Sequence, residues 1–314
     1  MKMLANDLSA LQAAQLSQTV WLLGQPSLER YLNFVRDQTV DGQHVKRMDL
    51  VNAWREANDY YYDLEQGEAG LADKIDARPL APSLQPMIDE IVADQRFQHT
   101  FDSLPARFEM VELDKLIVSQ LHIDITHGDR LKARIGTDAD DAALLRFCQP
   151  LDRNEAPFTV RRTGKNRYSF WSDSSDFRFH EAALFSPEQL NGTGAIRPNS
   201  GMLGLLVGYS SNFLSVIQSD SRYVLHNGHH RAYALRELGY THAPCIVQTV
   251  TRLDELNIIA SHDVVESPSH YFKAARPPLL KDFFDPKIRK LFHLPPIRRV
   301  VELSFDIKEY EVAG

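Results

Sequence analysis

The segment from Arg222 to Val250 constrains the fold of this chain more than any other stretch. Its start, Arg222–Leu225, predicts a strand, and a turn at residues 227–231 then leads into a helix that Gly239 ends. A second strand is predicted at Pro244–Gln248. The pattern indicates a strand–turn–helix–strand unit, which belongs in an α/β or α+β fold.

The turn of this unit has the composition of an anion-binding site. A glycine directly after a strand lets the backbone bend sharply, and the helix behind it presents free amides and the positive end of its dipole. Arg231 could contact phosphate oxygens with two hydrogen bonds, and a histidine there could transfer a proton. We therefore predict that a phosphate is held by Asn227, Gly228, His229, His230 and Arg231. A surface helix start with incidental basic residues is the alternative that composition leaves open.

The stretch Arg222–Gly239 resembles the signature of the ParB/sulfiredoxin superfamily. That signature is a strand, an acidic or amide residue, Gly-x-x-Arg, and a helix that ends in Leu-Gly. Val111–Leu116 resembles the opening strand of the same fold. The resemblance implies a ParB/sulfiredoxin-like core, with a helical N-terminal region, an insertion and a C-terminal extension around it.

We expect three regions along the chain. Residues 1–104 would form the helical N-terminal region, and residues 105–252 the core. An insertion at about 130–200 follows from the resemblance, because the two family-like segments lie farther apart here than in typical members. Residues 253–314 would form the C-terminal extension.

Local patterns predict several elements within these regions. Apolar residues recur at helical spacing over residues 8–23 and over Met48–Leu64, and Ser27 can cap a helix between them. Thr163–Asn166 has the composition of a hairpin turn. Loops are expected at the glycine-rich residues 192–201.

Members of the superfamily differ in how they use the pocket. Free-serine kinases carry a Gly-His-His-Arg-like turn, as at residues 228–231 here, which makes them the most similar in motif. Their base is a glutamate after the first strand, where this chain has Gln120, and an amide cannot act as a base. His122 and Asp124 lie nearby and are the candidate substitutes. Sulfiredoxins carry a reactive cysteine where this chain has His229, so their chemistry is not expected.

The resemblance therefore implies a nucleotide-dependent enzyme that hydrolyses a nucleotide or transfers its phosphoryl group to a small molecule. The expected catalytic residues are His122, Asp124 and His230, and the expected cofactor is ATP, ADP or CTP with Mg²⁺. No metal ligands are assigned, since a solvated loop is favoured over a cation site for His122, Asp124, His127 and Asp129. The alternatives are a DNA-associated ParB-like protein or nuclease, and a non-catalytic module that senses a ligand or binds a partner.

Charge and composition narrow these alternatives. The net charge of −7 argues against a duplex DNA partner, and no apolar window approaches the about 18 residues of a membrane span. Two cysteines and the absence of a secretory signal predict a cytoplasmic protein. The basic segment Lys273–Arg299 either binds nucleic acid or packs against the acidic N-terminal region, and we favour the second interpretation. The sequence identifies neither the nucleotide, the acceptor nor the oligomeric state.

Overall fold

In the computed structural model of this chain, the described residues are 16–25, 27–152, 157–174, 177–186, 202–209, 211–296 and 298–312. In chain order, the elements are β1 (Ser17–Leu22), α1 (Leu28–Gln38), α2 (Arg47–Glu68), β2 (Ala77–Pro79), α3 (Gln85–Ala93), α4 (Gln95–Thr100), β3 (Ala106–Glu112), β4 (Ile117–Val118), β5 (His122–Asp124), α5 (Ile125–Ile135), α6 (Asp141–Cys148), β6 (Phe158–Gly164), β7 (Arg167–Ser172), β8 (Phe177–Phe185), β9 (Met202–Tyr209), β10 (Ser215–Ser219), β11 (Arg222–Asn227), α7 (His229–Glu237), β12 (His242–Thr249), α8 (Leu256–Ile259), α9 (His262–Glu266), α10 (Pro268–Phe272), β13 (Arg289–Leu294) and β14 (Arg299–Ser304). Short 3-10 helices lie at Leu71–Lys74, Pro82–Leu84, Leu253–Glu255 and Leu280–Phe284. The mixture of helices and sheets agrees with the expected α+β class.

The chain divides into two units. The larger unit comprises Met1–Leu151 and Ser211–Pro296, and the smaller one Asp152–Ser210 and Ile297–Gly314. These divisions differ from the expected boundaries at residues 104 and 252. The expected insertion at about 130–200 also begins too early, because α5 and α6 bury Leu131 and Leu144 in the core of the larger unit.

A six-stranded mixed sheet organises the larger unit, in the order β2-β3-β12-β10-β11-β4. β10 runs parallel to β12, and β11 runs parallel to β4, while the other neighbours are antiparallel. Helix α7 packs on this sheet, since Ala232 and Leu235 share a buried cluster with Val111 of β3 and Leu225 of β11. The two segments that resemble the superfamily therefore contribute strands to one sheet, and the helix after the turn covers it.

The helix expected over residues 8–23 is wrong for Ser17–Leu22, which form the strand β1. This strand is the middle of a second, three-stranded sheet of order β13-β1-β5. β1 pairs along its whole length with β13 and alternates its side chains, so that Val20 and Leu22 enter the main core while Trp21 and Leu23 face α1 and α2. The strand partner β13 lies far along the chain, so the local apolar spacing alone favours a helix. Residues 1–15 of that prediction lie outside the described residues.

The next two N-terminal helices agree with their sequence signals. Ser27 caps α1 by accepting the N–H of Arg30 at 3.2 Å, and α2 contains the predicted Met48–Leu64. No helix within the described ranges is long and apolar enough to cross a membrane.

The basic C-terminal segment packs against α2 through a buried group that we call the α2 lock, which consists of Tyr61, Glu68, Arg276, Lys281 and Asp282. The guanidinium of Arg276 donates to both carboxylate oxygens of Asp282, and to Glu68 at 3.0 Å. The hydroxyl of Tyr61 donates to Asp282 at 3.0 Å, and Lys281 pairs with Glu68. These contacts agree with the interpretation that the basic segment neutralises the acidic N-terminal region.

The smaller unit is entirely β in its described part. A sheet of order β14-β7-β6 contains the hairpin whose turn was predicted at Thr163–Asn166, and β8 pairs with β9 in a separate two-stranded sheet. β14 joins this unit because it pairs antiparallel with β7, a long-range contact with no local sequence signal. The loops expected at residues 192–201 lie outside the described residues.

Candidate functional site

The predicted turn begins with a glycine that no other residue could replace without strain. Gly228 has a φ of +89°, in the left-handed region, and immediately precedes α7. A Cβ at this position would lie 3.0 Å from the Cα of Leu214, so the backbone of the neighbouring segment also requires a glycine. The side chain of Asn227 accepts the N–H of Gly228 at 2.9 Å. The turn is therefore fixed by both conformation and close packing.

His229 is the first residue of α7, and its side chain is buried with only 6% of its surface exposed. Burial, with smaller contributions from the neighbouring His230, His226 and His122, lowers the pKa of His229 to about 3. Its Nε2 atom has no hydrogen-bond partner among the residues that the structure describes. A buried polar atom without a partner costs about 1–3 kcal/mol, and a buried group of this kind requires an explanation.

His230 joins the turn to β5 and α5. Its Nε2 accepts the backbone N–H of Asp124 at 3.1 Å, so the proton of the neutral ring is on Nδ1. Burial lowers the pKa of His230 to about 3, with a further contribution from His127, whose ring lies edge-on at 5.1 Å. The carboxylate of Asp124 caps α5 by accepting the N–H of His127 at 3.1 Å. The N-termini of α5 and α7 are thus tied together at His230.

The orientation of Arg231 differs from the phosphate clamp that its position predicts. Only 4% of this residue is exposed, and its Nη1 donates to the carbonyl and, at 2.8 Å, to the side-chain oxygen of Asn212. The guanidinium also lies 6.0 Å from the ring of Phe147. Arg231 therefore fastens the segment before β10 to the first turn of α7. The carboxylate of Asp114 pairs with another residue of α7, Arg236, at 2.8 Å.

His122 lies on β5 but faces the N-terminal helices. Its ring stacks on Trp21 at 5.5 Å, since both residues are on the face of the three-stranded sheet opposite the main core. Partial burial, with a smaller contribution from the guanidinium of Arg30, lowers the pKa of His122. The amide of Gln120 donates to the backbone carbonyl of His122 at 2.7 Å, so this side chain supports the strand end.

The ring of His122 also lines a groove of about 470 Å³ between β1 and α1. Trp21 and Phe34 form its apolar floor, with ring centroids 4.0 Å apart, and the Nε1 of Trp21 is buried without a partner among the described residues. The other lining residues are Ser27, Glu29, Arg30, Asn33, Asp37 and Gln38. No local pattern predicts this groove, because the spacing of residues 8–23 favours a helix and the groove exists only once β1 pairs with β5.

The described residues do not form a metal site of the usual kind. They contain no group of three or more histidine, cysteine, aspartate or glutamate side chains that could hold a metal ion. Asp129 pairs with Lys132 at 2.8 Å, and one oxygen of Asp124 is used as the α5 cap. The residues near the turn therefore do not fit a magnesium ion held by the protein alone.

Comparison of the chain with protein-family models, with curated proteins and with solved structures finds no match. The likeness to the ParB/sulfiredoxin superfamily thus rests on the two sequence segments alone, and it stays a prediction.

Proposed function

We propose that this protein is a nucleotide-dependent enzyme with a ParB/sulfiredoxin-like core. It would bind the phosphates of a nucleotide at the turn before α7, and would hydrolyse the nucleotide or transfer its phosphoryl group to a small molecule. The observation that carries the proposal is the buried Nε2 of His229, which has no partner among the described residues at the first position of the helix. A phosphate oxygen would supply that partner, because a neutral imidazole that carries its proton on Nε2 can donate a hydrogen bond from this atom.

The binding groups would be neutral donors and a helix dipole. The amides of His229 and His230 precede the first hydrogen bond of α7, which the N–H of Arg231 donates to the carbonyl of Gly228 at 2.9 Å, and the positive end of the dipole favours an anion. Nδ1–H is the donor of the His230 ring, because Nε2 already accepts from Asp124. Arg231 would act as a positioning residue, since it holds Asn212 two residues before Leu214, against which Gly228 packs.

The reaction would need a base near the phosphate. Asp124 is the candidate, because its backbone N–H already bonds His230 and its carboxylate can accept a proton, whereas the ring of His122 stacks on Trp21. In transfer, the acceptor hydroxyl would attack the terminal phosphorus, its proton would pass to the carboxylate of Asp124, and the nucleoside diphosphate would leave. Water would replace the hydroxyl in hydrolysis. Asp124 would orient His230 through its backbone N–H. Magnesium would have to arrive on the nucleotide phosphates, and no step here depends on a protein-held ion.

A thermal-shift experiment tests this function directly. The full chain is heated with ATP, ADP, CTP or inorganic phosphate, each with and without magnesium, and with duplex DNA as the contrasting ligand. Binding to the folded state alone stabilises by about 2.7 kcal/mol when the ligand is at 100 times its Kd. We expect at least one nucleotide to raise the melting temperature and then to release phosphate or phosphorylate an acceptor. Stabilisation by DNA alone, with a steep salt dependence, would instead support the DNA-binding alternative.

A further inference from the structure

The hairpin of β6 and β7 in the smaller unit carries positive charges and no negative one. Its residues Phe158–Ser172 include no aspartate or glutamate. The cations of the hairpin, all exposed, are Arg161, Arg162, Lys165 and Arg167. Elsewhere in this unit Arg298 pairs with Asp173 at 2.9 Å, whereas no hairpin cation pairs with a carboxylate in the described part of the chain. Unpaired charges of one sign attract a partner that carries several charges of the other.

Three of the cations gather at the tip of the hairpin. Arg162 is directed towards the turn, because its guanidinium donates to the carbonyls of Gly164 at 3.1 Å and of Lys165 at 2.9 Å. These two bonds leave three of its five N–H groups for a ligand. The side chain of Arg167 runs beside Gly164, where an added Cβ would lie 3.5 Å from the Cβ of Arg167. Lys165 lies in the turn itself.

A groove of about 590 Å³ lies between this turn and the end of β14. Its volume is in the range of small-molecule sites, about 300–1,000 Å³. The charged lining residues among those described are Lys165, Arg167 and Asp306, so cations outnumber carboxylates there. Phe305 also lines the groove, is 44% exposed and stacks on Tyr168 with the ring planes 6° apart. The groove thus presents a flat aromatic ring beside unpaired cations.

We propose that the hairpin tip and this groove bind single-stranded nucleic acid. One base would stack on Phe305. The neighbouring phosphates of the strand would contact Arg162, Lys165 and Arg167. Proteins that bind single strands combine aromatic rings for the bases with cations that follow the backbone. The proposal does not depend on nucleotide binding at the turn before α7, which lies in the larger unit.

The exposed ring favours a single strand over other polyanions. A base in a duplex is covered on both faces by its neighbours, so only an unpaired base can stack on Phe305. An acidic polypeptide would match the cations but would supply few flat rings for the groove. The flat surface of an anionic bilayer would not enter a groove.

Fluorescence anisotropy of a labelled deoxythymidylate strand, titrated with the full chain, tests this proposal. A strand of about 12 nucleotides forms no duplex with itself and is in the range that such sites cover. Contacts to three phosphates predict that log affinity falls with log salt with a slope of about −2. Phe305→Ala should weaken binding at least about fivefold, because the stacked ring is lost. Lys165→Gln and Arg167→Gln should each weaken binding and reduce the slope by about 0.7.

Matched variants separate the site from general effects on charge and folding. Tyr310→Ala removes an aromatic ring that is 80% exposed in the same unit but lies outside the groove, and Lys46→Gln removes an exposed cation of the larger unit. Both should bind as the wild type does, as should Lys165→Arg, which keeps the charge. Phe305→Trp keeps a ring and should retain binding. His229→Phe should also leave this affinity unchanged, which distinguishes failure here from failure at the turn before α7.

A wild-type chain that does not bind the strand at low salt would overturn the proposal, as would equal affinity for a duplex of the same length. Polyglutamate or anionic lipid vesicles that displace the strand as readily as unlabelled strand does, at equal charge concentration, would show a general polyanion surface and contradict recognition of a single strand. A loss in Tyr310→Ala or Phe305→Trp as large as in Phe305→Ala would contradict the assignment to this groove.

Discussion

The α2 lock and the turn before α7 both bury polar side chains, but the two regions differ in whether the buried polar atoms have hydrogen-bond partners. In the lock, the buried Arg276 and Asp282 bond directly to each other, and Tyr61 and Glu68 add further hydrogen bonds. At the turn, His229 is buried to a similar degree, yet its Nε2 has no partner among the described residues. Satisfied buried groups hold a structure together, whereas an unsatisfied one lowers stability unless a ligand completes it. We infer that the lock serves stability and the turn serves binding.

The largest effect is expected in the lock. Asp282→Asn leaves the buried guanidinium of Arg276 without its carboxylate, and breaking a buried ion pair in this way costs about 3–5 kcal/mol. Urea unfolding should show that loss, while nucleotide affinity, measured where the variant is still folded, should not change. Tyr61→Phe is the milder control, because it removes one hydrogen bond worth about 1 kcal/mol. A variant of the α2 lock that stays folded but loses nucleotide affinity would contradict the inference that the lock serves stability and only the turn serves binding.

The next largest effect is expected at Gly228. Gly228→Ala combines strain at a φ of +89° with contact against the Leu214 backbone, so we expect a loss of about 2–4 kcal/mol. Gly239→Ala is the matched control at the other end of α7, because its φ is +92° and a Cβ there meets nothing within 4 Å. Urea unfolding should rank Gly228→Ala as the more destabilising change. Only that variant should also lose nucleotide binding. Equal losses would mean that the close approach of Leu214 is not a constraint.

Arg231 tests whether an arginine in the turn belongs to structure or to binding. Arg231→Ala leaves two oxygens of Asn212 without this donor, so we expect a destabilisation of about 1–3 kcal/mol in the absence of ligand. Ligand affinity should fall as well, because the segment that supports Gly228 loosens. The unfolding midpoint without nucleotide distinguishes the possibilities. If Arg231→Ala were as stable as the wild type, the result would instead support Arg231 as an exposed residue that binds phosphate.

The buried histidines predict a smaller, pH-dependent effect. The pKa of His229 is lowered to about 3 in the folded chain, whereas unfolded histidine titrates near 6.5. Between these values the unfolded chain binds a proton that the folded chain does not, so stability falls as the pH falls below about 6.5. The slope is up to about 1.4 kcal/mol per pH unit from this residue. Urea unfolding between pH 7.5 and 5 should show a shallower slope in His229→Phe than in wild type. An unchanged slope would indicate that His229 titrates normally.

The local signals in the sequence were sufficient for the turn itself. Gly228 follows a strand and precedes a helix, and both neighbours were identified from residues within a few positions of it. The face that each side chain presents was harder to predict, because Arg231 is directed by Asn212 and His122 by Trp21, which lie in distant segments. The strand at Ser17–Leu22 could not be predicted for the same reason, since its partner β13 (Arg289–Leu294) lies more than 260 residues later in the sequence. Motifs were therefore predictable, and long-range pairing was not.

The central claim is that His229 holds a ligand, and calorimetric titration with the nucleotide that stabilises the wild type most tests it directly. His229→Phe keeps a ring of similar shape but removes Nε2, so the chain without ligand should be as stable as the wild type or more stable. We predict that nucleotide affinity falls at least tenfold, a change of about 1.4 kcal/mol or more. Unchanged affinity in this variant, or no nucleotide binding by the wild type, would contradict the account.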